Sequence, residues 1–155
     1  MLINIKFKTI LKIIFIISFL VALLLFLSIY QNTVTMTQEN FTSILKSYHD
    51  NPYKHEGKRI KTSGYIFRSP DFKPNQFVIA RDMWINENDF HIVGFLCEYD
   101  NSYSFKENDW VKAEGKIYVG NYYGPMPIIK IEKISKFEKP ESSFVTPPEG
   151  LNRSL

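Results

Sequence analysis

From Ile13 to Tyr30 the chain runs eighteen residues without a charge, and Lys6, Lys8 and Lys12 precede that run. As a helix rising about 1.5 Å per residue it extends roughly 27 Å, close to the ~30 Å hydrocarbon core of a bilayer, and Thr9 to Leu11 can lengthen it. Residues 9–30 are therefore expected to form one transmembrane helix in contact with the lipid bilayer. A cleaved secretory signal is the alternative. Such a signal has an apolar region of only about 7 to 15 residues and a small-residue cleavage site, whereas the exit here reads Leu27-Ser28-Ile29-Tyr30-Gln31-Asn32.

Charge sorting gives the expected orientation. Three of the nineteen Lys and Arg precede the apolar run, which leaves sixteen to match the sixteen Asp and Glu that follow it. The formal charge of +3 is thus carried by Lys6, Lys8 and Lys12 ahead of the apolar run, and residues 1–8 are a basic flank expected to stay in the cytoplasm. The expectation is a single-pass protein of the cell membrane with its C-terminal domain extracytoplasmic, joined to the helix by a polar stalk over 31–36. A neutral outer domain has no overall field to attract nucleic acid, so no nucleic-acid partner is expected despite a pI near 8.9.

Beyond the stalk the chain has the length of one ordinary domain. Thirteen Phe, nine Tyr and two Trp, with glycines set singly among alternating residues, favour strands. The single cysteine, Cys97, lies in the apolar stretch Val93-Gly94-Phe95-Leu96-Cys97, where a packed, inert thiol is expected. It can form no internal disulfide, and it leaves a metal without a second thiolate.

Phe41, Ile44, Leu45 and Tyr48 fall at helical spacing, predicting a short amphipathic helix with Thr37 as its N-cap and its end near Asp50, ahead of Pro52. Five strand-like segments follow: Lys58 to Arg68, Asn75 to Ile85, Phe90 to Tyr99, Trp110 to Tyr118 and Met126 to Ile134. The fourth alternates Val111, Ala113, Ile117 and Val119 against Lys112, Glu114, Lys116 and Tyr118. Gly64 and Gly115 interrupt strands where a bulge or bend lets a small sheet curl. The pattern predicts a mainly β protein whose residues 37–138 form a five-stranded OB-like barrel with a leading helix, an open meander being the alternative. Residues 139–155, with Pro140, Pro147 and Pro148, are expected to be an extended or disordered tail.

Several segments carry a family resemblance: Tyr53-Lys54-His55-Glu56-Gly57-Lys58, Gly64-Tyr65-Ile66-Phe67-Arg68, Gln76-Phe77-Val78-Ile79-Ala80-Arg81, Val93 to Cys97, and Trp110-Val111-Lys112-Ala113-Glu114-Gly115-Lys116. In order and approximate spacing they resemble the C-terminal domain of the YcgQ-type permease-subunit family of membrane proteins, a domain of unknown function. The resemblance covers roughly residues 41–140 and implies a multi-pass permease as partner. Relatives often have two anchoring helices where this chain has one. Many also carry adjacent cysteines after the Ala-Arg pair, where this chain reads Met83-Trp84-Ile85-Asn86-Glu87-Asn88-Asp89, so no thiolate site carries over.

No catalytic, cofactor or metal site is expected. His49, His55 and His91 lack zinc-type spacing, no phosphate loop or nucleophile elbow is present, and Asn86 to Asp89 reads as a turn that supplies too few oxygens for calcium. An OB-type barrel commonly holds ligands beside the loops joining strands one to two and four to five. Those loops contain Phe72, Tyr122 and Tyr123, large aromatics able to stack on a ligand or partner or to cap the barrel ends, with Arg68 and Arg81 near the same rim. The sequence is read as a non-catalytic, membrane-anchored binding module serving a permease or transport system. The alternative is an independent OB-type module binding cell-wall glycan or another extracytoplasmic ligand, small molecules included.

Overall fold

A computed structural model describes residues 2–31, 33–86 and 88–148, with the side chains of 2–7 and 28–31 left out. Met1 of the basic flank, Asn32 of the stalk, Glu87 of the acidic turn and residues 149–155 of the tail therefore lie outside the described residues. The chain divides into two compact units, Met1–Thr33 and Val34–Leu155.

In the first unit, helix α1 covers Leu2–Gln31. Its stretch Lys8–Leu27, with a mean hydropathy of 3.1, is long and apolar enough to cross a membrane, and none of it is buried against the rest of the chain. A helix apolar on all sides has no polar face to turn toward water, unlike the one-sided stripe of a surface helix.

The second unit is a closed barrel. Strands β2 (Arg59–Phe67), β3 (Gln76–Asn86), β4 (Asp89–Glu98), β5 (Trp110–Asn121) and β6 (Pro125–Lys136) fall within three residues of the five expected segments. Hydrogen-bonded neighbours run β2-β5-β6-β4-β3, and β2 pairs with β3 to close the ring. Every barrel pairing is antiparallel except β4 with β6, where Leu96, Cys97 and Glu98 lie opposite Ile128, Ile129 and Lys130. Strand β2 must serve two neighbours, β5 from Arg59 to Tyr65 and β3 from Tyr65 to Phe67. Gly64 sits at this crossing because a Cβ there would lie 2.2 Å from the Ala80 carbonyl oxygen. A register shift at Glu114/Gly115 bends β5 against β6.

Alternate residues of each strand fill the interior. Ile60, Ile66, Phe77, Ile79, Phe95, Cys97, Val111, Ile117 and Ile129 are all buried. Cys97 is completely enclosed, and burial pushes its thiol up to about 12, so it stays protonated and unreactive.

Helix α2 (Phe41–Asp50) packs Phe41 and Tyr48 into this core, with Ile44 and Leu45 against it. It ends where the sequence predicts but starts at Phe41, and Asn40 rather than Thr37 stands at the N-cap. The Asn40 side chain instead accepts a hydrogen bond from the Thr37 N–H at 2.7 Å, which holds residues 37–40 as a turn.

Two short strands join the sheet from segments expected to lie outside it. Of the stalk 31–36, Gln31 ends α1, β1 (Thr33–Thr35) lies beside β2, and buried Met36 donates its N–H to the Lys61 carbonyl at 2.9 Å. In the tail, β7 (Phe144–Val145) pairs in parallel with Asp82 and Met83 of β3, and Val145 is buried. Thr42 donates its hydroxyl to the Thr146 carbonyl at 2.5 Å, which ties the tail to α2.

Candidate functional site

The loop between β2 and β3 meets the turn between β5 and β6. Phe72 packs edge-on against Tyr122 at 5.6 Å, and Tyr122 against Tyr123 at 4.8 Å. The Tyr122 hydroxyl and the Ser69 hydroxyl both donate to the Asp71 carboxylate. Those bonds hold Asp71 below the usual carboxylate range, and the Tyr122 phenol, whose proton is bound to Asp71, is pushed up to about 12. Phe72 and Tyr122 are half-buried against each other, whereas Tyr123 is 90% exposed and holds φ 55° at the tip of the turn. The structure thus brings Phe72, Tyr122 and Tyr123 together on one rim.

It commits Arg68 and Arg81 elsewhere. The Arg68 guanidinium donates to the carbonyls of Gln76, Ser102 and Phe105 at 3.2, 2.8 and 3.1 Å and lies 5.4 Å from the Phe77 ring, clipping the turn at 102–104 onto the barrel. Arg81 is only 6% exposed. It stands 5.1 Å over the Trp110 ring, its Nε has no hydrogen-bond partner, and burial lowers its pKa. Both long side chains fold back onto aromatic rings in place of reaching the loop rim.

His55 is buried and stacks on Tyr48 at 3.9 Å, a packing role. At the β3–β4 connection the Asn86 side chain accepts the Asn88 N–H at 3.0 Å, an ordinary turn closure. Among the described residues, no three His, Cys, Asp or Glu side chains converge to hold a metal. An open groove of about 420 Å³ crosses β2, β5 and β6 beside Thr35, Ser63, Lys112 and the Lys61–Glu114 ion pair at 3.6 Å.

Sequence reasoning missed a second aromatic cluster. On the β3–β4 hairpin, Trp84 stacks flat on Phe144 of β7 at 4.1 Å and 5°, and Phe90 stands edge-on to both rings at 6.0 Å. Trp84 lies opposite Phe90 in the ladder, and Asp82 lies opposite both Ile92 and Phe144, so one sheet face carries Trp84, Phe90, Ile92 and Phe144. The other face holds Met83, Ile85, Val93 and Val145 against the core. The available signal was apolar residues at both alternating phases of the hairpin, where a sheet with one wet face has polar residues at one of them.

A family model described as the DUF1980 C-terminal domain matches residues 26–147. A curated relative from Streptococcus mutans, named "Putative two-component membrane permease complex subunit", is 22% identical over 113 residues, 71% of this chain. The chain spans only 41% of that relative's length. Among solved structures, a small single-stranded DNA-binding protein from Streptomyces coelicolor is 16% identical, over 52% of this chain and 93% of that one, with a TM-score of 0.35. A likeness that slight has no bearing on function.

Proposed function

The chain belongs to the DUF1980 C-terminal domain family, and from that premise we propose that it is a non-catalytic accessory subunit of a permease or transport complex, anchored by α1 with its barrel outside the cytoplasm. The observation that carries this reading is the union, in one chain, of a span-length apolar helix and a closed barrel. The helix associates the chain with a membrane, and the permease-subunit relative supports the kind of assembly. The orientation rests on the basic flank of Lys6, Lys8 and Lys12, which resists translocation. A multi-pass permease is the partner, met through α1, through the barrel surface, or through both. A thiol as inert as Cys97 supports a binding role over nucleophilic chemistry.

The test is in two steps. Protease added to intact spheroplasts should digest the barrel, and the same protease on inverted vesicles should spare it; the reverse pattern overturns the orientation. From mild detergent extracts of its host the full chain should bring down a multi-pass membrane protein, and replacing residues 1–30 with an unrelated anchor should weaken that association. Recovery of the chain alone overturns the accessory role.

The gathering of Phe72, Tyr122 and Tyr123 on one rim, with Tyr123 almost wholly exposed, favours a second reading: an independent module stacking a cell-wall glycan or similar ligand on these rings. Glycan binding by the full chain that disappears on Tyr122→Ala with Tyr123→Ala supports it, and binding that survives both changes removes it.

A further inference from the structure

We propose that the outer face of the β3–β4 hairpin, formed by Trp84, Phe90, Ile92 and Phe144, is a bilayer-docking surface that lays the barrel against the headgroup region of the membrane in which α1 is anchored. The face is apolar where water alone would favour polar side chains: Trp84 is 43%, Phe90 48% and Ile92 46% exposed, while on the reverse face Met83 and Val145 are buried in the core with Ile85 and Val93 packed against it. A contiguous apolar face of this kind on a folded domain marks a contact surface rather than chance exposure.

Its chemistry and its tether select the occupant. Trp is the side chain most at home between headgroups and acyl chains, and Phe and Ile enter the acyl boundary beside it. The carboxylate sharing the face, Asp82, accepts the Tyr65 hydroxyl at 2.6 Å. Asp89 at the start of β4 favours a neutral or zwitterionic lipid surface over an anionic one. The chain itself supplies the bilayer: Met36, already in the barrel core, follows Leu27, the last residue of the span-length window, by only nine residues, the first four of them helical. A surface held that close meets lipid at high effective concentration, so a weak patch suffices. The stacked and edge-on rings of Trp84, Phe90 and Phe144 are already in place, so docking orders little further.

This inference rests on the membrane anchor alone, and neither the permease partner nor the orientation enters it. The full chain is reconstituted into phosphatidylcholine vesicles, part of the lipid being brominated near the headgroup end of the acyl chains. The two tryptophans separate cleanly, since Trp110 is buried in the barrel and Trp84 is not. Brominated lipid should remove most of the Trp84 emission, while aqueous iodide leaves it unchanged. In Trp84→Phe the remaining Trp110 signal should ignore the bromines, and in the pair Phe90→Ser with Ile92→Ser the Trp84 emission should become open to iodide. Emission from Trp84 that iodide quenches and bromine does not, in a chain that resists carbonate extraction, overturns docking and leaves the anchor standing. Loss of the chain to carbonate overturns both. Rapid disulfide dimerisation of Ile92→Cys, with Trp84 emission unquenched by brominated lipid, assigns the face to a second copy and also overturns the proposal; buried Cys97 does not compete in that assay.

Discussion

The rim aromatics Phe72, Tyr122 and Tyr123 stand in loops, and the polar atom of Tyr122 is satisfied locally by Asp71. Trp84, Phe90 and Phe144 stand on strands, and the third ring comes from a tail sixty residues beyond the first. Both clusters expose aromatic surface, but they differ in what maintains them. The rim is held by ring contacts and hydrogen bonds between two exposed loops, which contribute little to stability. The β3–β4 hairpin with β7, here the aromatic arm, is held by ladder pairing and ring stacking on a face whose reverse side is core. Disturbing the arm should therefore unsettle the barrel, and disturbing the rim should not.

The largest effect should come at the base of the arm. A Cβ on Gly94 would lie 2.3 Å from the Ile79 carbonyl oxygen and 2.6 Å from Val78 Cγ1, so Gly94→Ala must part β3 from β4. We expect a loss of about 3 kcal/mol in urea unfolding followed by near-UV dichroism, the upper end of overpacking costs. A loss as small as that of a rim variant would erase the distinction.

Phe144→Ala should come next. It removes a stacked and an edge-on ring partner, together worth about 1–2 kcal/mol. The Asp82 amide, bonded to the Ser143 carbonyl at 3.3 Å, should exchange faster, and Trp84 emission should shift to the red. Unchanged exchange at Asp82 would mean that β7 docks without its aromatic.

A smaller response sharpens the comparison because it belongs to neither cluster. Burial, then the charges of Lys58 and Lys54, lower the His55 pKa where the ring stacks on Tyr48. The unfolded chain takes up that proton at the ordinary value of about 6.5, so below it the unfolded state binds more protons. Stability should be constant above that pH and fall as pH is lowered, until the folded His55 protonates too. His55→Gln should flatten the urea midpoint against pH, with desolvated His49 supplying what slope remains. Phe144→Ala and Tyr122→Phe should keep the full slope.

Tyr122→Phe should have the smallest effect. The Asp71 carboxylate loses one of the two hydroxyls that lower it, so its carbon-detected titration should move toward the ordinary carboxylate range, with the urea midpoint unchanged. A clear drop in midpoint would make the rim a structural cap.

What was legible beforehand follows range of interaction. The five strands and the end of α2 before Pro52 rest on alternation and turn chemistry within a few residues, and each is found where the residues suggest, whereas the two aromatic loops, fifty residues apart, were paired only through the expected barrel. Arg68 and Arg81 lie near the ends of the first two predicted strands, which places them beside the rim on sequence alone. Three carbonyls brought in from β3 and the turn at 102–105 claim one, and the Trp110 ring claims the other. Strand β7 escaped notice because two residues have no period.

The sequence by itself determined that this chain has a membrane-length apolar helix and five half-buried strands, since hydropathy and side-chain alternation are properties of consecutive residues. Only the tertiary structure decided that β2 closes on β3, that β4 runs parallel to β6, and that Phe144 completes the aromatic arm. Those contacts join residues far apart along the chain. Their stability depends on which surfaces remain uncovered once the barrel has closed, a quantity no local pattern contains.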